Sequence, residues 1–515
     1  MLALLAASAL TAPALAQVTP SPSTPANDPV AQAQGQPDVP PPDPALDAPV
    51  APPTPEESAS NMEFLQAQVE ALQAQLEALK KQVNTAQPTW RGAPQFASDN
   101  GFTFKPKGFA QFDGGYLERA VGNRGFQKLG WANRIRRLVF GAEGTLPGGF
   151  GYNVELNLAQ AGVGYEDVFL SFQPKGSPVT VRIGNTYPLS GLDTMTSSRL
   201  GSFLERATFT EAFGENRRLG VAIGLVDPND RYTLTGGVYG QEIDNGNDGD
   251  TRTGWQSSVR GTFSPQFGTT RLHLGANYQY RVFQRDAQQF QYRARPFTQI
   301  TGLRLIDTGG VAASGDSILG GELGAVYGPF HIAAEAQKLW VRGHQPGTIF
   351  TRNNASTGTF YVDDPDFFSA YGELGFYITG ESRGYKGGRW DRTKVLKPFD
   401  QGGWGALQVN GRVDYTNLNS RVGAGPNLVG NNYFVNGGKQ VGYQLSLIWN
   451  PMDYIRFMAQ FARTDITGGP RTATPGGGGT FLPANVLLKP SFVGQRIDTR
   501  DFHINSLAVR AQVDF

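Results

Sequence analysis

The chain has 515 residues, with 34 Pro, 66 Gly, no Cys and a formal net charge of +1. Without Cys there is no disulfide scaffold, thiolate zinc site or cysteine nucleophile. The four His (His273, His331, His344, His503) are too widely spaced to suggest a histidine-rich metal site, so neither a metal nor a cofactor is expected. The balanced charge gives no sign of a nucleic-acid partner.

Residues 1–16 read as a secretory signal. An apolar run from Leu2 to Leu15 ends in the A-x-A pattern Ala14-Leu15-Ala16, although no basic segment precedes it. The run is too short for a transmembrane helix, which needs about 20 apolar residues. Residues 17–60 form a linker: they hold 13 of the 34 Pro, including Pro40-Pro41-Pro42. Such runs favour extended polyproline II and cannot build a core.

Residues 61–84 change character. Met62, Leu65, Val69, Leu72, Leu76, Leu79 and Val83 follow a 3,4 spacing, the a/d seam of a coiled coil. Ser60 and Glu63 are placed as a capping box. One such helix alone has nothing to bury its stripe against, so a coiled coil between chains is expected; the alternative is a helix packed on the next domain.

Residues 100–515 hold 64 of the 66 Gly. Here runs of period two replace the helical period. Leu272, Leu274, Ala276, Tyr278 and Tyr280 alternate with polar residues, as do Leu507, Val509, Ala511, Val513 and Phe515. Sixteen such runs start near residues 107, 136, 150, 165, 179, 219, 232, 255, 271, 319, 330, 367, 406, 441, 454 and 504. The even number, and the alternation of short turns with stretches such as 282–317, 342–366, 379–405 and 464–503, favour an all-β transmembrane antiparallel barrel over a soluble sandwich. A barrel closes every backbone hydrogen bond and so tolerates lipid, and sixteen strands leave room for an aqueous channel.

Particular stretches are similar to a known family. Thr196-Ser197-Ser198, Phe203-Leu204-Glu205-Arg206-Ala207, Glu211-Ala212-Phe213 and Arg217-Arg218-Leu219-Gly220 resemble the loop of the phosphate-selective porins O and P. So do Thr379-Gly380-Glu381, Lys397-Pro398-Phe399 and Gly402-Gly403-Trp404-Gly405-Ala406. The resemblance runs from about Gly108 to Phe515. It implies a homotrimeric outer-membrane channel, with a loop after the fifth strand folded into the pore and arginines and a lysine cluster guiding anions. It also implies an N-terminal coiled coil, in the periplasm. The lysine cluster has no clear counterpart, since the barrel region holds 10 Lys against 33 Arg.

The expected solute is a small anion, phosphate or polyphosphate. Guanidinium groups offer oxyanions forked, charge-assisted hydrogen bonds, so the pore-constriction candidates are Arg137, Arg136, Arg206, Arg199, Arg218 and Arg182. Strand parity turns Arg137 inward but leaves Arg134 and Arg136 with the lipid-facing set. Arg206 either reaches the channel axis or pairs with a carboxylate and anchors its loop. Leu200, Phe203, Leu204, Ala207 and Phe213 are placed to pin that loop to the wall. The stretch 381–400 is a basic vestibule candidate, with Arg383, Lys386, Arg389, Arg392, Lys394 and Lys397; it could gather anions or meet lipopolysaccharide phosphates. On the strands, inward Arg137, Arg182, Arg260, Arg271, Arg281, Arg412, Arg456 and Arg510 face inward Glu143, Glu155, Asp167, Glu322, Glu335, Glu373, Asp414 and Asp514. Such balance suggests cross-strand pairs, leaving selectivity to loops and constriction. Alternatives are a general or carbohydrate-type porin, and a structural barrel whose N-terminal extension reaches the cell wall. No nucleophile accompanies the inward His273 and His331, so an enzyme is not expected. The net charge itself divides: nine acids and two bases before residue 91 leave that part at −7 and the remainder at +8.

Overall fold

The computed structural model describes residues 62–64, 66–77, 88–90, 92–118, 129–159, 162–243, 253–283, 290–311, 313–343, 349–352, 355–359, 364–420, 435–468 and 501–515. The signal and linker segments lie outside these residues. Residues 62–64 and 66–77 are helical, with Met62, Val69, Leu72 and Leu76 exposed along one seam.

Sixteen strands form the wall of a closed antiparallel barrel. They are β1 (Thr103–Leu117), β2 (Gly130–Leu146), β3 (Phe150–Asn157), β4 (Val168–Phe172), β5 (Val179–Thr186), β6 (Arg218–Val226), β7 (Tyr232–Tyr239) and β8 (Thr253–Phe263). The second half is β9 (Thr270–Phe283), β10 (Ala313–Tyr327), β11 (Phe330–Gly343), β12 (Asp366–Tyr377), β13 (Ala406–Ser420), β14 (Val435–Met452), β15 (Ile455–Thr467) and β16 (Asp501–Asp514). Each strand pairs with its sequence neighbours, and β16 returns to β1 through Arg510↔Asp113 and Val513↔Ala110. No edge is left, which is why such a sheet can stand in a bilayer. The sixteen period-two runs correspond to these strands one for one, with ends displaced by a few residues.

Alternation sets the two faces. In β11, Phe330, Ile332 and Trp340 are exposed outward while His331, Ala333, Glu335 and Gln337 are buried inward. Aromatic pairs band the outside, among them Phe330–Phe376 and Trp449–Phe457 near the short turns and Trp255–Tyr280 at the opposite end. Such girdles sit at membrane interfaces. The short turns, for example between Tyr327 and Phe330, share one end of the barrel; in outer-membrane barrels that end faces the periplasm.

Three insertions fill the lumen. Residues 187–217, between β5 and β6, enter from the long-loop end. Here Phe203, Leu204, Ala207 and Phe213 are buried and Leu200 is half-buried. The loop is tied to the far wall: Asp193 N donates to Glu335 at 2.7 Å, Thr208 N to Asp414 at 2.9 Å and Leu204 N to Gln460 at 2.8 Å. A second insertion from the same end is a hairpin of Phe290–Ala294 with Ile306–Val311. The sequence had placed this stretch inside a long loop. Its Phe290 and Tyr292 join Phe209 and Phe213 in one buried cluster. Phe297 lies against the wall at Gly442, where a Cβ would stand 2.1 Å from the Phe297 ring.

The third insertion corrects the sequence reading. Residues 378–405, the basic stretch, join β12 to β13 and so belong to the short-turn end, opposite the loops that would meet lipopolysaccharide. Gly384–Lys386 and Arg389–Asp391 pair as a hairpin pointing into the barrel. Its tip is Gly387-Gly388, with φ +57 and +75, a two-residue turn that needs left-handed backbone at both positions.

Candidate constriction and its arginines

The loop 187–217 and the hairpin 290–311 enclose a cavity of about 390 Å³ that is lined by Arg136, Arg137, Arg206, Arg293, Arg295 and Arg304 against Glu205, Glu211 and Glu215. A β-bulge shapes it. The β1–β2 register runs Gln111↔Arg137 and then Phe112↔Ile135, so Arg136 is the extra residue. A bulge re-aims side chains. Arg136 therefore turns inward and makes a bidentate pair with Glu205, at 2.8 and 2.9 Å. Beyond the bulge Arg134 also shares the inward parity, opposite Asp113, and donates to the Gln299 carbonyl. Simple alternation had put both on the lipid side.

The other guanidiniums differ in how they are held. Arg137 donates to Gln111 Oε1 at 3.0 Å. Arg206 donates to the Asp193 carbonyl at 3.1 Å, the Tyr187 hydroxyl at 3.1 Å and the Thr196 carbonyl at 2.7 Å. It thus braces its own loop, through carbonyls that leave its charge uncancelled. Glu211 serves both Arg295 and Arg304, the latter at 3.0 Å. Burial lowers the Arg304 pKa to about 10; Glu211 opposes this and Arg295 and Arg293 add to it. Burial would raise the Glu205 carboxyl, but Arg136, with its hydrogen bond, and then Arg510 and Arg137 hold it well below the ordinary carboxylate range.

Arg199 lies 3.9 Å from Asp514 and over the Phe109 ring, on the short-turn side of the loop. Arg218 is buried, 4.0 Å from Glu242, away from this cavity. Arg182 on β5 lies over Phe169 and lines a separate recess. In the third insertion, Arg383 donates to Ser202 Oγ at 2.6 Å and to the Leu200 carbonyl at 2.9 Å, tying the hairpin to the pore loop. Arg392 pairs with Asp514. Arg389 and Lys386 sit at the hairpin's end, and Lys394 and Lys397 are exposed where the turn leaves the barrel.

The strand register decides which inward arginines are neutralised. Arg281, Arg412 and Arg510 stand directly opposite Asp316, Glu373 and Asp113, and pair with them at 2.6 Å in each case. Arg260 forks onto Glu322 at 2.9 and 2.6 Å. These are wall struts. The sequence reading missed Asp113 and Asp316 as partners, and Arg293, Arg295 and Arg304 as lining residues. The alternation of Phe290, Tyr292 and Ala294 with Gln291 and Arg293 was the available signal for that hairpin. Tyr371 and Tyr377 face inward, and their hydroxyls are engaged by Glu335 and Thr393, at 2.7 Å each.

A closed sixteen-stranded barrel with an apolar outer face, aromatic girdles and a loop-narrowed polar lumen has the architecture of an outer-membrane channel. Residues 109–469 match the model of a family described as phosphate-selective porin O and P. An uncharacterized protein of Caulobacter vibrioides is 35% identical over 438 residues, 83% of this chain and 77% of that protein. Porin O of Pseudomonas aeruginosa is 27% identical over 333 residues, 58% of this chain and 69% of that one. Among solved structures, the outer-membrane channel DcaP of Acinetobacter baumannii aligns over 82% of this chain and 99% of its own, with TM-score 0.45 and 11% identity. The anion-selective porin of Comamonas acidovorans aligns over 80% of this chain and 100% of its own, with TM-score 0.44 and 12% identity. The chain belongs to the phosphate-selective porin O and P family.

Proposed function

We propose that this porin is a passive, anion-preferring channel whose solute is phosphate or polyphosphate, selected by arginines at the loop-narrowed constriction. The observation that carries this reading is the cavity between the pore loop and the 290–311 hairpin, with six arginines against three glutamates. Arg137 and Arg206 are held there by neutral oxygens and keep their charge available for an oxyanion. Guanidinium groups in a narrow, partly desolvated passage select by charge and forked geometry without further chemistry. The carbohydrate-type alternative would need aromatic faces open to the solute, and the hydroxyl bonds of Tyr371 and Tyr377 hold those rings as wall elements.

The same reading assigns a homotrimer, with an N-terminal extension in the periplasm. The helix around residues 62–77 forms a coiled coil between chains, after a signal peptide (1–16) and a Pro-rich linker (17–60). Lipopolysaccharide would be met by the long-loop end, and the cell wall by the extension.

The test is a planar-bilayer measurement. In a KCl gradient the reversal potential should report anion preference, and millimolar phosphate should block chloride current. Arg137→Ala should raise the half-blocking concentration about tenfold, since a hydrogen bond to a charged group is worth about 1.5–3 kcal/mol. Cation preference in the wild type would overturn the reading.

A further inference from the structure

Beyond the loop, on its short-turn side, lies a recess of about 190 Å³ between β5, β6, β7 and the tip of the 384–391 hairpin. Its charged lining is Arg182, Arg260 and Arg389, with no carboxylate among the lining residues. Arg260 is already forked onto Glu322. Arg182 is not neutralised in that way. Its register neighbours are Ser171 on β4 and Ala222 on β6, and its Nε is buried without a hydrogen-bond partner among the described residues. Arg389 likewise has no ion pair among the described residues. Lumen water reaches it, yet enclosure by the barrel and then the Arg182 guanidinium both disfavour its charge.

Asp167 and Asp391 favour the Arg389 charge from beyond ion-pair distance, but no carboxylate stands between the two guanidiniums in the recess lining; two cations so placed cost free energy, and an anion between them offsets that cost. Ala222 on β6 presents only a methyl group to the recess, the space over Gly224 is taken by the Thr235 side chain, whose Oγ1 would stand 2.7 Å from an added Cβ, and Thr180 and Thr235 are part of the lining. Tyr187 lines both this recess and the larger cavity, so the two are neighbours at that residue.

We infer that the recess at Arg182 and Arg389 is a second, separate site for a tetrahedral oxyanion, which bridges the barrel wall to the inward hairpin. Charge-assisted hydrogen bonds from both guanidiniums and one or more threonine hydroxyls would surround the ion. The inference rests on the anion reading above but uses different residues. Two neighbouring sites let an entering ion displace the one already bound.

Phosphate titration of chloride current through single channels tests it. The wild type should show two blocking components. In the double variant Arg182→Gln with Arg389→Gln, one component should shift to about tenfold higher phosphate, while the component that Arg137→Ala shifts stays in place. Arg182→Lys keeps the charge and should retain both. Heat-modifiable migration on unheated gels reports whether each variant is a folded barrel. A single component in the wild type, or a folded double variant that titrates like the wild type, would overturn the second site. A component lost only in the double variant, with Arg137→Ala silent, would leave this site standing and overturn the constriction proposed above.

Discussion

At the scale of single residues, the lumen separates arginines that hold the wall together from arginines that keep a net charge. Arg281, Arg412 and Arg510 each face a carboxylate in register, and removing either partner would strand a buried charge. Arg137, Arg206 and Arg182 face amides, carbonyls or small residues instead. Titration of the loop groups gives a test with opposite expectations at the two ends of the pH scale. The Glu205 carboxyl is held below its ordinary value. Its ion pairs are complete above that ordinary value, about 4.3, and are lost only as pH falls through the depressed one. Acidification from pH 7 to 4 should therefore leave the Arg136–Glu205 pair intact: infrared difference spectra over that range should contain no carboxyl protonation band that Glu205→Gln removes. Arg304, with its pKa near 10, loses its proton as pH rises through that value. Reversal potentials should show anion preference weakening between pH 9 and 11, below the range in which an unperturbed arginine titrates; Arg304→Gln should weaken it at neutral pH and flatten this region of the profile.

At the scale of elements, what matters is how three irregular segments are made rigid inside a regular wall. The pore loop has only two short helices, Leu192–Met195 and Thr208–Ala212. Its order comes from backbone N–H groups donating to wall carboxylates and amides at Glu335, Asp414 and Gln460. The short-turn hairpin is held by Trp390, which meets His331 and Tyr385 edge-on at 6.2 and 5.7 Å while Arg383 lies over its ring at 5.3 Å. The Tyr385 hydroxyl bonds His273 Nδ1 at 2.7 Å. Trp390→Ala should cost the hairpin about 3–5 kcal/mol of packing. The hairpin would then leave the lumen for part of the time, and mean single-channel conductance should rise with larger open-state noise. Unchanged conductance would show that the hairpin does not narrow the path.

At the scale of the whole molecule, the barrel and its N-terminal extension pose separate questions. The wall is stable by closure, so its strands need no partner chain to satisfy hydrogen bonds. The helix around residues 62–77 is different, because its apolar seam is exposed and one isolated helix of this length is marginal. Deleting residues 61–84 should lower the temperature at which the homotrimer proposed above dissociates on unheated gels while leaving the phosphate titration of the channel intact. Trimers of unaltered heat stability would assign the helix to another partner.

The sequence by itself determined the fold class, because lipid on one side and water on the other write period two into every strand, and sixteen repetitions of it are hard to mistake. It also located the pore loop, whose motifs are contiguous, and the inward parity of Arg137, Arg182, Arg260, Arg281, Arg412 and Arg510. Tertiary structure alone decided the charge balance of the lumen. Whether an arginine is neutralised depends on the residue opposite it, and Asp113 meets Arg510 only because the first and last strands close the barrel. The bulge that turns Arg136 inward is one extra residue in the register of two strands, invisible to alternation within one of them. The basic stretch 381–400 had an evident charge but no evident side: counting which turns share an end of the closed barrel placed it inside the short-turn mouth, where Arg389 comes to face Arg182.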